Sequence, residues 1–258
     1  MLANYHTHTF RCRHADGEDE AYVETAIQRG LKVLGFSDHC PWVYPDGHTS
    51  GTRMLPSELD DYFTSLLRLR DAYKEDITIY IGFEAEYIPE LMEAQRRLLE
   101  PYPLDYMILG EHFTLREPLG PYTGFPTQEE TELARYVDLC IEGLESGAYA
   151  YLAHPDLLHF TGEQAVYDRH YSRLCRYLAA HSIPVEINLL GALEGRHYPG
   201  RHFLELARTA GCSAVIGCDA HTPDRVGHPE GVALCRSLAG EYGLPLVDLL
   251  PGLGIRFA

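Results

Sequence analysis

Lys32-Val33-Leu34-Gly35-Phe36-Ser37-Asp38-His39 is a short apolar run that ends on an acid and a histidine. Val33, Leu34 and Phe36 give it strand character. A helical pattern over Glu18–Arg29 precedes it and is stopped by Gly30. An amphipathic stretch from Ser57 to about Lys74 follows, with Leu59, Tyr62, Phe63, Leu66, Leu67 and Leu69 apolar. The same alternation recurs along the chain. Strand-like runs are expected at Leu2–His6, Lys32–Ser37, Ile77–Phe83, Tyr106–Leu109, Ala148–Ala153, Pro184–Leu189 and Ser213–Gly217, and Leu244–Leu249 reads as a candidate final strand. Helices are expected between them, near Pro89–Leu99, up to Ser146, over Glu163–Ala180, at Phe203–Ala210 and at Glu230–Tyr242. Thr127 and Glu130 have the spacing of a capping box for the helix that reaches Ser146.

Repeated β/α units at this density predict an α/β fold, a closed parallel TIM-like barrel. A doubly wound open sheet is the alternative. No G-x-G-x-x-G and no P-loop follows any run, which speaks against a nucleotide fold. No shift in composition marks a boundary, so residues 1–258 read as a single domain.

Composition narrows the function classes. With 45% hydrophobic and 23% charged residues over 258 positions, the chain is ordinary globular material. Its net charge of -17 repels phosphate backbones, so no nucleic-acid partner is expected. The N-terminus has no apolar leader and no apolar run approaches a membrane span, so no membrane partner is expected and the reading is cytoplasmic. Seven cysteines without a C-x-x-C argue against a disulfide framework or a zinc ribbon. Fourteen histidines invite a metal hypothesis.

In a barrel, the working face lies at the C-terminal ends of the strands. There the runs deliver His6-Thr7-His8, Asp38-His39, Glu84, Glu111-His112, His154-Pro155-Asp156 and Asp219-Ala220-His221. The run ending Glu186-Ile187-Asn188 supplies no histidine, and the one ending at Glu84 supplies only a carboxylate. Alternate side chains of a strand share a face, so His6 with His8, and Asp219 with His221, can grip one ion. His48, His159, His170, His181, His197, His202 and His228 lie in loops or helices and read as solvated. Imidazole and carboxylate without thiolate suit zinc, manganese or iron. More than four ligands imply more than one ion, and adjacent ions suit phosphate-ester hydrolysis. They also let an acidic protein receive an anionic small molecule.

His6-Thr7-His8, Ser37-Asp38-His39, Gly82-Phe83-Glu84, His112, His154-Pro155-Asp156 and Asp219-Ala220-His221 resemble, in order, the motifs of the PHP (polymerase and histidinol phosphatase) family. Cys12-Arg13-His14-Ala15 resembles a segment of its histidinol-phosphate phosphatase branch. The resemblance implies a distorted (β/α)7 barrel with two to three divalent metal ions. His6, His8, Glu84 and Asp219 would hold one ion, Glu84, His112 and His154 a second, and His14, His39 and His221 a third. Glu84, Asp219 and His221 are implied at the catalytic centre. The implied reaction converts L-histidinol phosphate to L-histidinol and phosphate, a step of histidine biosynthesis, by a hydroxide held between ions. Another small phosphate ester is the alternative substrate; a nuclease module and a non-catalytic metal-binding module are more distant ones.

Asp38, Asp156 and Glu111 neighbour ligands and are expected to orient their rings. Leu109-Gly110-Glu111-His112 stands where relatives carry Gly-Ser-Val-His. Arg196, Arg53 and Trp42 are expected to bind substrate, the arginines through a guanidinium fork that suits phosphate. Arg13 and Arg225 flank ligands as weaker candidates. Tyr44, Tyr87 and Tyr122 are candidates for a ring pocket, and Cys12, Cys40 and Cys218 read as packing residues.

Overall fold

A computed structural model describes residues 1–250 and Leu253. Four strands, β1 (Ala3–Asn4), β2 (Val33–His39), β3 (Thr78–Ala85) and β4 (Tyr106–Leu109), pair in sequence order and in parallel. β5 (Val185–Asn188) and β6 (Ala214–Gly217) form a second parallel pair. Single parallel bridges link the two sheets at both ends. Leu109 meets Leu152 and Leu152 meets Val185 on one side, and Thr7 meets Ala220 on the other. The sheet therefore curls, with its strand C-termini on one face.

The expected strand at Ala148–Ala153 is reduced to the Leu152 bridge. The adjoining backbone instead serves the neighbouring strand, with Ala150 N donating to Met107 O and Ala153 N to Leu109 O. Leu244–Leu249 contributes only a bridge from Leu246 to Ala214. Seven regular strands are thus not present among the described residues. β1 is likewise shorter than expected, because the Asn4 side chain takes up the His6 backbone N–H and C=O, and Thr7 bridges to Ala220.

Helices α1 (Asp19–Gln28), α2 (Leu59–Ala72), α3 (Met92–Leu99), α4 (Glu130–Glu145), α5 (Gln164–Ala180), α6 (Leu189–Glu194), α7 (Arg201–Ala210) and α8 (Pro229–Glu241) follow the strands. Gly30, with φ 74°, lies just past the end of α1 as expected. In α2 the residues Leu59, Tyr62, Phe63, Leu66 and Leu69 are buried at helical spacing, whereas Leu67 faces out. The Thr127–Glu130 capping box does not form. Thr127 is held extended by pairing with Phe160, and its hydroxyl accepts from Glu129 N instead. The short helix α6 has no counterpart among the expected elements; Asn188 caps it by accepting from Gly191 N at 2.8 Å.

The main core lies between helices and sheet. A second cluster inside the curl, built on Tyr5, Val33, Tyr106, Ile108, Tyr151 and Val215, forms a floor beneath the strand ends. The Tyr106 hydroxyl donates to Tyr5 O at 2.7 Å, so this buried polar atom of the floor is satisfied. No described helix is long and apolar enough to cross a membrane.

Candidate metal centre

The strand ends converge on Glu84, a carboxylate only 1% exposed on β3. His154 Nε2 lies 2.7 Å from it, His39 Nδ1 3.1 Å, His112 Nε2 3.4 Å, His6 Nε2 3.5 Å and His8 Nε2 3.7 Å. The cluster is close enough that residue 110 must be glycine. A Cβ there would sit 2.1 Å from Glu84 Oε1, nearer than any real contact.

Around this carboxylate the side chains fall into metal-sized groups. His6, His8 and Asp219 bring ligand atoms within 4.8 Å of one another, as do His14, His39 and His221. His6, Glu84 and His154 form another such group, and His112 Nε2 approaches the same Glu84 oxygen, Oε1. All nine ligand positions expected from the sequence are therefore assembled at one face. Two of them, His154 (φ 28°) and Asp219 (φ 50°), sit in left-handed backbone, which side-chain-bearing residues rarely adopt.

Four of the rings are tethered through Nδ1. His6 Nδ1 meets Glu186 Oε1 at 2.9 Å and His112 Nδ1 meets Glu86 Oε1 at 3.1 Å. His14 Nδ1 meets Cys12 O at 2.8 Å and His221 Nδ1 meets Asp219 O at 3.0 Å. Donating through Nδ1 leaves Nε2 as a lone pair for an ion. Asp38 lies 3.6 Å from His8 Nδ1, short of a hydrogen bond, and is itself held by the Thr9 hydroxyl and His39 N. Asp156 and Glu111 turn elsewhere. Asp156 accepts from Gly200 N and Glu111 from Tyr87 N, and neither bonds a ligand histidine, because each side chain turns toward a neighbouring loop. The orienting carboxylates Glu186 and Glu86 are ones that sequence reasoning missed. Glu86 lies one residue past the end of β3 and Glu186 lies on β5, and neither carries a mark in the sequence that sets it apart from other glutamates.

As a protein-only assembly the centre is unsatisfied. His6 Nε2, both nitrogens of His8, Glu84 Oε2, His154 Nδ1 and His221 Nε2 are buried without a hydrogen-bond partner. Burial pushes the His8 ring down, but Asp219 and Asp38 outweigh it and raise it to about 9. Burial and the neighbouring His8 lower His221 to about 3. Burial opposes ionisation of Glu84 too, yet the surrounding imidazoles hold it well below the usual carboxylate range. Orphaned imidazole nitrogens around ionised carboxylates are the donor set of a divalent-metal centre, and the residues fit one.

Beside the centre opens a cavity of about 580 Å³, lined by His14, His39, Phe113, Tyr122, Arg196 and Tyr198 among others. Arg196 is on its wall, its Nε and Nη2 held by Glu194 at 3.0 and 2.8 Å. Arg53 also borders the cavity, but its donors are turned inward to Glu86, Glu117 and Cys40 O. Trp42 does not line it. The indole packs with Tyr44, Ile88 and Leu91, and its N–H donates to Glu86 at 3.0 Å. Tyr122 lines the cavity, and Tyr44 spends its hydroxyl on Glu117. Arg13 pairs with Glu58. Cys12, Cys40 and Cys218 are fully buried.

The PHP domain family matches residues 4–189, so the chain belongs to that family. A protein named "Probable histidinol-phosphatase" from Deinococcus radiodurans is 26% identical over 243 residues, with 88% of each chain covered. One of the same name from Schizosaccharomyces pombe is 26% identical over 256 residues, covering 88% of this chain and 83% of its own. A histidinol phosphate phosphatase from Lactococcus lactis, crystallised with zinc, L-histidinol and phosphate, superposes with a TM-score of 0.76 at 20% identity, covering 99% of this chain and 98% of that one. At that identity the superposition speaks for the fold.

Proposed function

We propose that the chain is a metal-dependent phosphomonoesterase that hydrolyses L-histidinol phosphate to L-histidinol and phosphate. The observation that carries this reading is the ring of orphaned imidazole nitrogens around Glu84, opening directly into a cavity with Arg196 on its wall. Similarity over 88% of the chain to proteins named as probable histidinol-phosphatases supports the choice of substrate. The bridges that join the two sheets at both ends support a closed, seven-membered single-domain barrel whose fifth member is little more than Leu152.

Three ions are the count the ligand groups support, with His6, His8, Glu84 and Asp219 for one, Glu84, His112 and His154 for the next, and His14, His39 and His221 for the third. Zinc, manganese and iron all suit the donor set. When bound, such ions acidify water, neutralise phosphoryl charge and stabilise the leaving alkoxide. The protein's part is positional. Glu84 and Asp219 present ionised oxygens, and the Nδ1 tethers fix the rings. Arg196 supplies donors to the phosphoryl oxygens. Seven buried, unpaired cysteines fit a reducing, cytoplasmic setting.

The test is kcat/KM for L-histidinol phosphate with zinc- or manganese-loaded protein. A value of about 10⁴ M⁻¹s⁻¹ or more supports the assignment. A value orders of magnitude lower, with aryl phosphatase activity intact, would move the chain to another small phosphate ester.

A further inference from the structure

Tyr198 is a feature of the cavity that the residue pattern alone does not single out. The residue is only 3% exposed, yet it lines the cavity, and its ring lies 5.7 Å from that of His154. Its position is constrained from behind by α6. A Cβ at residue 191 would lie 2.3 Å from Tyr198 O and 2.8 Å from its ring, so glycine is required there. The same glycine accepts from Arg196 N through its carbonyl at 2.9 Å, and its own N–H caps onto Asn188. Asn188 in turn donates to Asp219 at 3.1 Å. Arg196 and Tyr198 are therefore referenced, through one turn of backbone, to a ligand of the metal centre.

The hydroxyl is polarised in one direction. Arg196 Nη1 donates to Tyr198 Oη at 2.7 Å. Among the described residues the hydroxyl donates to none. A phenol that accepts from a guanidinium and has a free hydrogen at a cavity wall is a donor awaiting an acceptor. Glu194 holds the far side of the same guanidinium, so the fork cannot turn away without breaking three hydrogen bonds.

We propose that Tyr198 binds substrate directly, its hydroxyl donating to a phosphoryl oxygen while it holds the Arg196 fork toward the same group. The pair forms an anion clamp on the cavity wall, carried by the loop that follows β5 and α6. The inference deepens the phosphate-ester reading and rests on it.

The test is Tyr198→Phe, which keeps the ring and removes the donor. The readouts are kcat and KM for an aryl phosphate, Ki for inorganic phosphate, bound metal and melting temperature. KM and the phosphate Ki should rise together by about ten- to a hundredfold, as for loss of a hydrogen bond to a charged group. Bound metal and melting temperature should not move. Arg196→Ala should weaken phosphate binding as well, and the double variant should lose less than the product of the two. Unchanged KM and Ki in Tyr198→Phe would overturn the proposal, as would a loss of bound metal that accounts for the whole effect. A parent protein that hydrolyses no phosphate ester would overturn the functional reading instead.

Discussion

Glu186→Gln isolates the contribution of a carboxylate that touches no substrate. Glu186 is fully buried and accepts four hydrogen bonds, two on each oxygen. Oε1 takes His6 Nδ1 at 2.9 Å and the Tyr151 hydroxyl at 3.2 Å. Oε2 takes His154 N at 2.8 Å and Asn188 Nδ2 at 3.0 Å. Glutamine has the same shape but one oxygen. The amide keeps its oxygen on His154 N and Asn188 Nδ2, which can only donate, so its NH2 faces the Tyr151 hydroxyl, which can turn to accept, and His6 Nδ1, which accepts only if the ring moves its proton to Nε2. With His6 kept in the tautomer that leaves Nε2 free, one buried donor is left unsatisfied, and the fold should lose about 1–3 kcal/mol. With the other tautomer Nε2 carries the proton; either way His6 is no longer held ready for an ion, and affinity for metal should fall about 10–100-fold. Dialysis against graded free metal, with content measured by elemental analysis, reads the second effect, and urea unfolding reads the first. Metal occupancy and stability equal to the parent's at every free-metal concentration would refute the idea that Glu186 sets the geometry of these ligands.

Other substitutions probe the same construction. Glu84→Gln should cost more activity and more bound metal than any single histidine replacement, because five imidazoles converge on that carboxylate; retention of full metal content would contradict a bridging role. Gly110→Ala should displace Glu84 and strip metal, whereas Gly240→Ala, with nothing within 4 Å of the new methyl, should be close to silent in the same metal assay. Burial raises the Asp156 carboxyl to about 7. Folded Asp156 therefore keeps its proton where the unfolded chain has released it, so its share of stability is full below about pH 4 and declines as pH rises toward 7, by about 4 kcal/mol. Asp156→Asn should accordingly gain stability on the parent at pH 8 and much less at pH 4, read from urea midpoints at both values; an equal difference at both would dismiss the buried acid as the cause.

The ligands are legible in the sequence because the chemistry demands rare residue types at strand ends, and a histidine-x-histidine pattern on an extended segment points both rings to one side, where an ion can join them. His14 is legible only through resemblance, since nothing in its loop marks it. Glu86 and Glu186 are illegible for a different reason. A buried glutamate that orients a ring reads in sequence like any other glutamate, and only the three-dimensional pairing shows that it faces a histidine nearly thirty or nearly two hundred positions away. Arg53 and Trp42 show the converse error. Their residue types suit phosphate and ring recognition, but Glu86 and Glu117 claim the arginine and Glu86 claims the indole. The run at Ala148–Ala153 promises more strand than it delivers because apolar content reports burial, not ladder formation, and Leu152 alone completes the pairing.

The bridge between Thr7 and Ala220 sets an order of events during synthesis. It brings His6 and His8 to Asp219 and His221, partners more than two hundred residues apart. A chain emerging from the ribosome carries its first two histidines long before it carries their acidic partner, and contacts of such separation form late. Until residue 221 is free to fold back, His6 and His8 have no Asp219 to share an ion with, and His14 and His39 lack His221. The proposed centre would thereby be assembled only once residues 219–221 have folded back, and a product truncated before Asp219 would lack two of its members.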